Sequence, residues 1–316
     1  MENFIFSLNA TVPIFLVMIL GWVLMRKGFF NEAFVKTADK YVFKVALPVL
    51  LFQDIATADI RSSFDLKFIL FCMISTILMF LSVWLFSWIF IKDKSMVGAF
   101  AQGAARGSAA ILGIAFVRNI YGASGMAPLM IVSAVPFYNI LSVVILTFHS
   151  REQARLDRKT QIRTACINVA RNPIILGILA GLPFTLLHIP IPAIPAKAIT
   201  YVANTATPIA LLSIGAGFQG SRALAKLKPA LAASLIKLII LPAVFFPAAL
   251  YFGFRQSELV AILIMLGSPT TVTCYIMAKN MGNDEVLTSS IVVLATLLSS
   301  VTLTAWIYLL RTMALI

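Results

Sequence analysis

Residues 102–113 read QGAARGSAAILG and residues 265–275 read MLGSPTTVTCY, two strings rich in glycine, serine or proline set inside long apolar runs. In a water-soluble domain such strings would be surface turns. The surrounding composition forbids that reading, because 60% of the 316 residues are hydrophobic and 12% charged, against roughly 25% charged in a soluble domain. The strings therefore belong at membrane depth, where irregular backbone is tolerated only if it is buried in protein or lines a cavity.

Outward from these strings, the chain supplies apolar runs of the length that a bilayer core requires, about twenty residues each. Ten can be counted, near 4–25, 37–54, 66–91, 97–120, 126–148, 165–186, 198–218, 229–252, 258–279 and 285–310. An all-α polytopic membrane protein of ten transmembrane helices is expected. The first run lacks a basic n-region and is too long for a signal-peptide core, so it is expected to be a retained helix. Numbered in order, the odd loops carry fifteen Lys and Arg, and the even loops with both tails carry six. The positive-inside rule then puts the odd loops in the cytoplasm and both termini outside the cytoplasmic (inner) membrane. The net charge of +13 reports orientation and contact with anionic headgroups, not nucleic acid. All twelve carboxylates and both histidines fall at or near the edges of the apolar runs. The three cysteines are too scattered for a disulfide framework or a metal site.

Sliding the sequence against itself by 160 residues superposes uncommon residues without a gap. Pro13 falls on Pro173, Gly21 on Gly181, Gly107 and Ser108 on Gly267 and Ser268, and Gly122 on Gly282. Pro48, in ALPVLLF from Ala46, falls on Pro208, in ATPIALL from Ala206. The chain is expected to be two five-helix repeats, 1–148 and 165–316, joined by a basic cytoplasmic loop at 149–164. An odd number of spans per unit inverts the second repeat, the arrangement of many alternating-access carriers.

The two opening strings lie in the fourth and ninth runs, each about ten residues or roughly 15 Å from a membrane face, which is the midplane. Two helices broken there would turn free N–H groups and partial positive charge toward a shared cavity, a setting that favours an anion. Arg106 lies at that depth with no acid beside it in sequence, and costs at least ~2.5 kcal/mol there without a partner or a wet cavity. It would either cap backbone carbonyls at the break or meet a substrate carboxylate. Gly107, Ser108, Gly267, Ser268, Pro269, Thr270, Thr271 and Thr273 surround the same breaks, although membrane Ser and Thr hydroxyls also bond back to their own helix. Asn139 is a candidate ligand or interhelical glue. Pro48 and Pro208 are candidate kinks in the second and seventh helices, and Lys44 and Lys237 lie near enough to the cytoplasmic face to snorkel. An intramembrane enzyme is disfavoured, since no HExxH, paired acids or His near the breaks could act as base or nucleophile. A cation/proton antiporter would need a midplane carboxylate, and none is evident.

With these residues in view the sequence resembles the auxin efflux carrier family, along nearly its whole length. The likeness rests on ALPVLLF from Ala46, ARGSAAILG from Ala105, RNPIILGILAGLP from Arg171, TATPIALLSIGA from Thr205 and GSPTTVTCYIMAKNMGND from Gly267. It implies a scaffold domain and a transport domain interleaving both repeats, crossed breaks at 107–109 and 267–271, elevator-type movement of an organic anion such as a mono- or dicarboxylate or an auxin-like acid, and commonly a homodimer. Ser108 stands where many members carry Asn. No cofactor is implied. Coupling to sodium stays open, as does the alternative of a sodium-coupled carrier of another solute on the same architecture.

Overall fold

The computed structural model describes the chain apart from residues 1, 58–64, 123–124, 151–157, 188 and 219, and every described element is helical. In chain order these are α1 (Glu2–Arg26), α2 (Glu32–Tyr41), α3 (Leu47–Ala56), α4 (Leu66–Phe90), α5 (Val97–Ala105), α6 (Ala109–Tyr121), α7 (Ala127–Phe148) and α8 (Arg158–Ala170). There follow α9 (Pro173–Leu187), α10 (Ala193–Ala216), α11 (Gly220–Ala225), α12 (Leu227–Leu235), α13 (Leu241–Tyr251), α14 (Gln256–Gly267), α15 (Thr273–Asn280) and α16 (Glu285–Thr312). A π-helical turn at Val42–Ala46 welds α2 to α3, and another at Ile236–Ile240 welds α12 to α13.

Five of the described helical stretches are long and apolar enough to cross a membrane by themselves: Leu66–Phe90, Ala127–Phe148, Ala193–Ala216, Leu227–Tyr251 and Glu285–Thr312. A sixth is the pair Ile162–Ala170 and Pro173–Leu187, bent by 49°. At that bend Pro173 supplies no N–H, and the Asn172 side chain accepts from Ile174 N at 2.9 Å. Within the expected loop at 149–164 the chain is helical at Arg158, where α8 begins; residues 151–157 of that loop lie outside the described residues. The α4 helix makes the lipid argument plainly. Its inward face buries Cys72, Met79 and Phe80, while Leu70, Ile74, Leu78 and Leu85 point outward and exposed. A helix apolar on every side needs lipid on the face that protein does not cover.

Two close crossings organise one side of the molecule. α1 packs along α10 and α3 along α9. Gly21 of α1 lies against the Leu212 backbone of α10, and Gly181 of α9 lies against Phe52 of α3, where a Cβ would come within 2.9 Å of the Phe52 carbonyl. Gly181 is Gly21 plus 160 and Leu212 is Phe52 plus 160, so the same contact is made twice. Gly122 and Gly282 also match, both closing helices in left-handed backbone at φ 75° and 68°. Pro48 follows the first π turn at the start of α3, and Pro208 sits inside a continuous α10.

Candidate functional site

Both opening strings break their helices. The first break spans Arg106–Ser108, between α5 and α6, and the second spans Ser268–Val272, between α14 and α15. Each lies within a residue of the expected position. Gly103 and Gly113 stay helical. The two breaks are bonded to each other: Ser108 N donates to Pro269 O at 2.9 Å, Gly107 and Thr270 form an antiparallel bridge, and the Thr270 hydroxyl donates to Gly103 O at 2.7 Å. These bonds answer the backbone groups that the broken helices leave open. Consequently α6 and α15 both begin at the crossing, with their N-terminal ends beside one another.

In front of these ends lies a cavity of about 460 Å³, lined by Arg106, Gly107, Ser108, Thr271 and Thr273 from the breaks. Leu47, Leu50, Leu51 and Asp54 of α3 form its opposite wall, a stripe at helical spacing, together with Asn204, Thr207 and Pro208 of α10. Arg106 is 5% exposed. One guanidinium nitrogen donates to Asn139 Oδ1 at 2.6 Å and the other to the Met277 thioether at 2.6 Å. Asn139 in turn donates to Val135 O at 2.9 Å. Arg106 thus caps no carbonyl, and no ion pair among the described residues includes it.

The other expected site residues take different places. Asn139 is fully buried behind Arg106 and does not line the cavity. Gly267, Ser268, Pro269 and Thr270 form the crossing itself, and Pro48 faces Gly177 of α9. Two corrections concern charge. The cavity does hold an acid, Asp54, which the sequence places at the end of an apolar run, where depth is ambiguous. Lys237 does not snorkel: it is fully buried with its amine at the second break, whereas Lys44 is exposed. Asn204 and Thr207 are two site residues that the sequence reading does not single out, although Thr207 adjoins Pro208 in the repeated string and Asn204 stands two residues before that string.

Fold and site together define a polytopic helical membrane protein whose two broken helices cross at a polar cavity. The chain belongs to the membrane transport protein family, whose model matches residues 6–307, the group that its motifs resemble. It is 22% identical to an uncharacterized transporter of Methanothermobacter thermautotrophicus, over 96% of this chain and 98% of that one. It is 23% identical to a Rhizobium meliloti protein named "Putative malonate transporter", over 97% of each chain. It is 24% identical to the uncharacterized transporter YfdV of Escherichia coli K12, over 66% of this chain and 68% of that one.

Proposed function

We propose that the protein is a secondary transporter that carries a small organic anion across the cytoplasmic membrane, binding it in the cavity at the crossing. The observation that carries this reading is Arg106, a buried guanidinium without a carboxylate partner, opening on a cavity that two helix N-termini also face. A carboxylate there gains charge-assisted hydrogen bonds and the favourable ends of two helix dipoles. Leu47, Leu50 and Leu51 offer an apolar wall for the rest of the molecule. The malonate named for the R. meliloti relative is a small organic anion.

The same reading takes the chain as ten spans in two inverted repeats. The twinned crossings Gly21 with Leu212 and Gly181 with Phe52 support it. The α1–α10 and α3–α9 pairs would form the scaffold, and the elements around the breaks would form a transport domain that moves past them as an elevator, in a homodimer. Gly107, Ser108 and Thr271 would contact the anion, with Asn139 holding Arg106 in place.

Thermal unfolding of the purified protein against malonate, malate and indole-3-acetate tests the site. One of these is expected to stabilise the wild type, and Arg106→Ala to keep its fold while weakening that anion's binding at least about tenfold. Anion stabilisation that survives Arg106→Ala unchanged would remove Arg106 from the site and this function with it.

A further inference from the structure

The crossing holds a second buried cation. α14 ends at Gly267, so its last carbonyls need donors from outside the helix. The donor that Met265 O would normally take is the N–H of residue 269, and Pro269 has none. Lys237 Nζ answers it at 3.1 Å and also donates to Leu266 O at 2.7 Å. Tyr138 Oη donates to Met265 O as well, at 2.5 Å, and the Tyr138 ring centroid lies 6.0 Å from the ammonium. Lys237 is fully buried, and among the described residues no carboxylate pairs with it. Its amine reaches the first break too, where a Cβ on Gly107 would meet Nζ at 2.9 Å. Against the same face of Gly107 lies the Ser268 hydroxyl, buried without a hydrogen-bond partner.

Two carbonyl oxygens at the negative end of a half-helix, with a spare hydroxyl close by, are the oxygen set that binds an alkali ion at broken helices in ion-coupled carriers. Here a side chain delivers the positive charge. The π turn at Ile236–Ile240 carries Lys237, and this non-standard turn re-aims one residue out of the regular helical register.

We infer that the Lys237 ammonium is a tethered substitute for an alkali ion, occupying a cation site formed by Met265 O and Leu266 O beside the Ser268 hydroxyl. Resting on the transporter reading, it follows that the anion site carries its own fixed cation and that transport runs without sodium. A bound ion could leave at each cycle; a lysine cannot.

The test is thermal unfolding of the full-length protein in sodium, potassium and choline chloride at one ionic strength, with no organic anion present. The wild type is expected to melt at one temperature in all three. Lys237→Met keeps the volume and removes the charge. It is expected to melt lower in choline and to recover by about 3 °C at a tenfold excess of sodium or potassium over its dissociation constant; Lys237→Gln should behave likewise. Saturable stabilisation of the wild type by sodium overturns the inference, as does a folded Lys237→Met that melts alike in all three salts. If neither variant folds, the wild type decides: anion uptake indifferent to sodium upholds the inference, and uptake driven by a sodium gradient overturns it. Because these melts use no carboxylate, a failed anion panel beside a sodium-rescued Lys237→Met strikes the anion reading alone.

Discussion

Asp54 sits on the cavity wall formed by α3 while Arg106 sits on the break, so a carboxylate bound as proposed would meet one attracting and one repelling charge in the same space. At protein-like effective dielectric such a like charge several ångströms away costs on the order of 1 kcal/mol. Asp54→Asn is therefore expected to tighten anion binding about three- to tenfold, read by titration calorimetry with the best stabilising carboxylate; unchanged or weaker binding would mean that the two charges do not share the site. The sequence made Arg106 legible because its neighbours are small and polar and no acid stands near it in the string. It hid Asp54 and Lys237 for different reasons. Asp54 ends an apolar run, and a run's end does not say which way the side chain turns. Lys237 was measured in depth along a uniform α-helix, and the π turn that carries it makes such counting fail.

At the level of helices, Gly21 packs on Leu212 and Gly181 on Phe52, where the absence of a side chain lets backbones touch. Gly181→Leu is expected to lower stability by about 1–3 kcal/mol through overpacking, seen as a lower melting temperature. Gly220→Ala, whose added methyl would meet nothing nearer than 3.9 Å, should change it by less than about 0.5 kcal/mol. Comparable losses from both would mean that the crossing is not tight. Helix breaks and this pairing were readable in the sequence because Gly and Pro recur at one offset. The start of α8 was not, since RKTQIR from Arg158 has neither apolar periodicity nor breakers to separate helix from loop.

The molecule as a whole shows its membrane edges in its aromatic and basic side chains. Trp84 Nε1 donates to His149 Nε2 at 2.8 Å, just past the end of α7. Burial, followed by the charge of Lys94, holds the His149 pKa below the usual imidazole range, so that nitrogen stays free to accept. Lys94 in turn lies over the Trp88 ring at 5.8 Å, a pairing suited to a headgroup layer. Orientation can be checked with a cysteine placed ahead of the bent pair, Lys159→Cys, where the side chain is exposed. An impermeant maleimide is expected to label Lys159→Cys in opened or inverted vesicles and not in intact cells. Labelling of intact cells would reverse the topology drawn from the distribution of Lys and Arg.

The bonded breaks also bear on how the protein is made. The hydroxyl that satisfies Gly103 O belongs to Thr270, 167 residues later in the chain, and the carbonyl that receives Ser108 N belongs to Pro269. A ribosome must add more than 160 residues beyond the first break before that break has its partners. Until then the segment from α5 to α6 carries open backbone groups whose partners lie in the later half, and a guanidinium that has Asn139 but not yet Met277. Membrane quality control thus has a long interval in which to recognise a chain whose first break is still open, and closure of the crossing ends it.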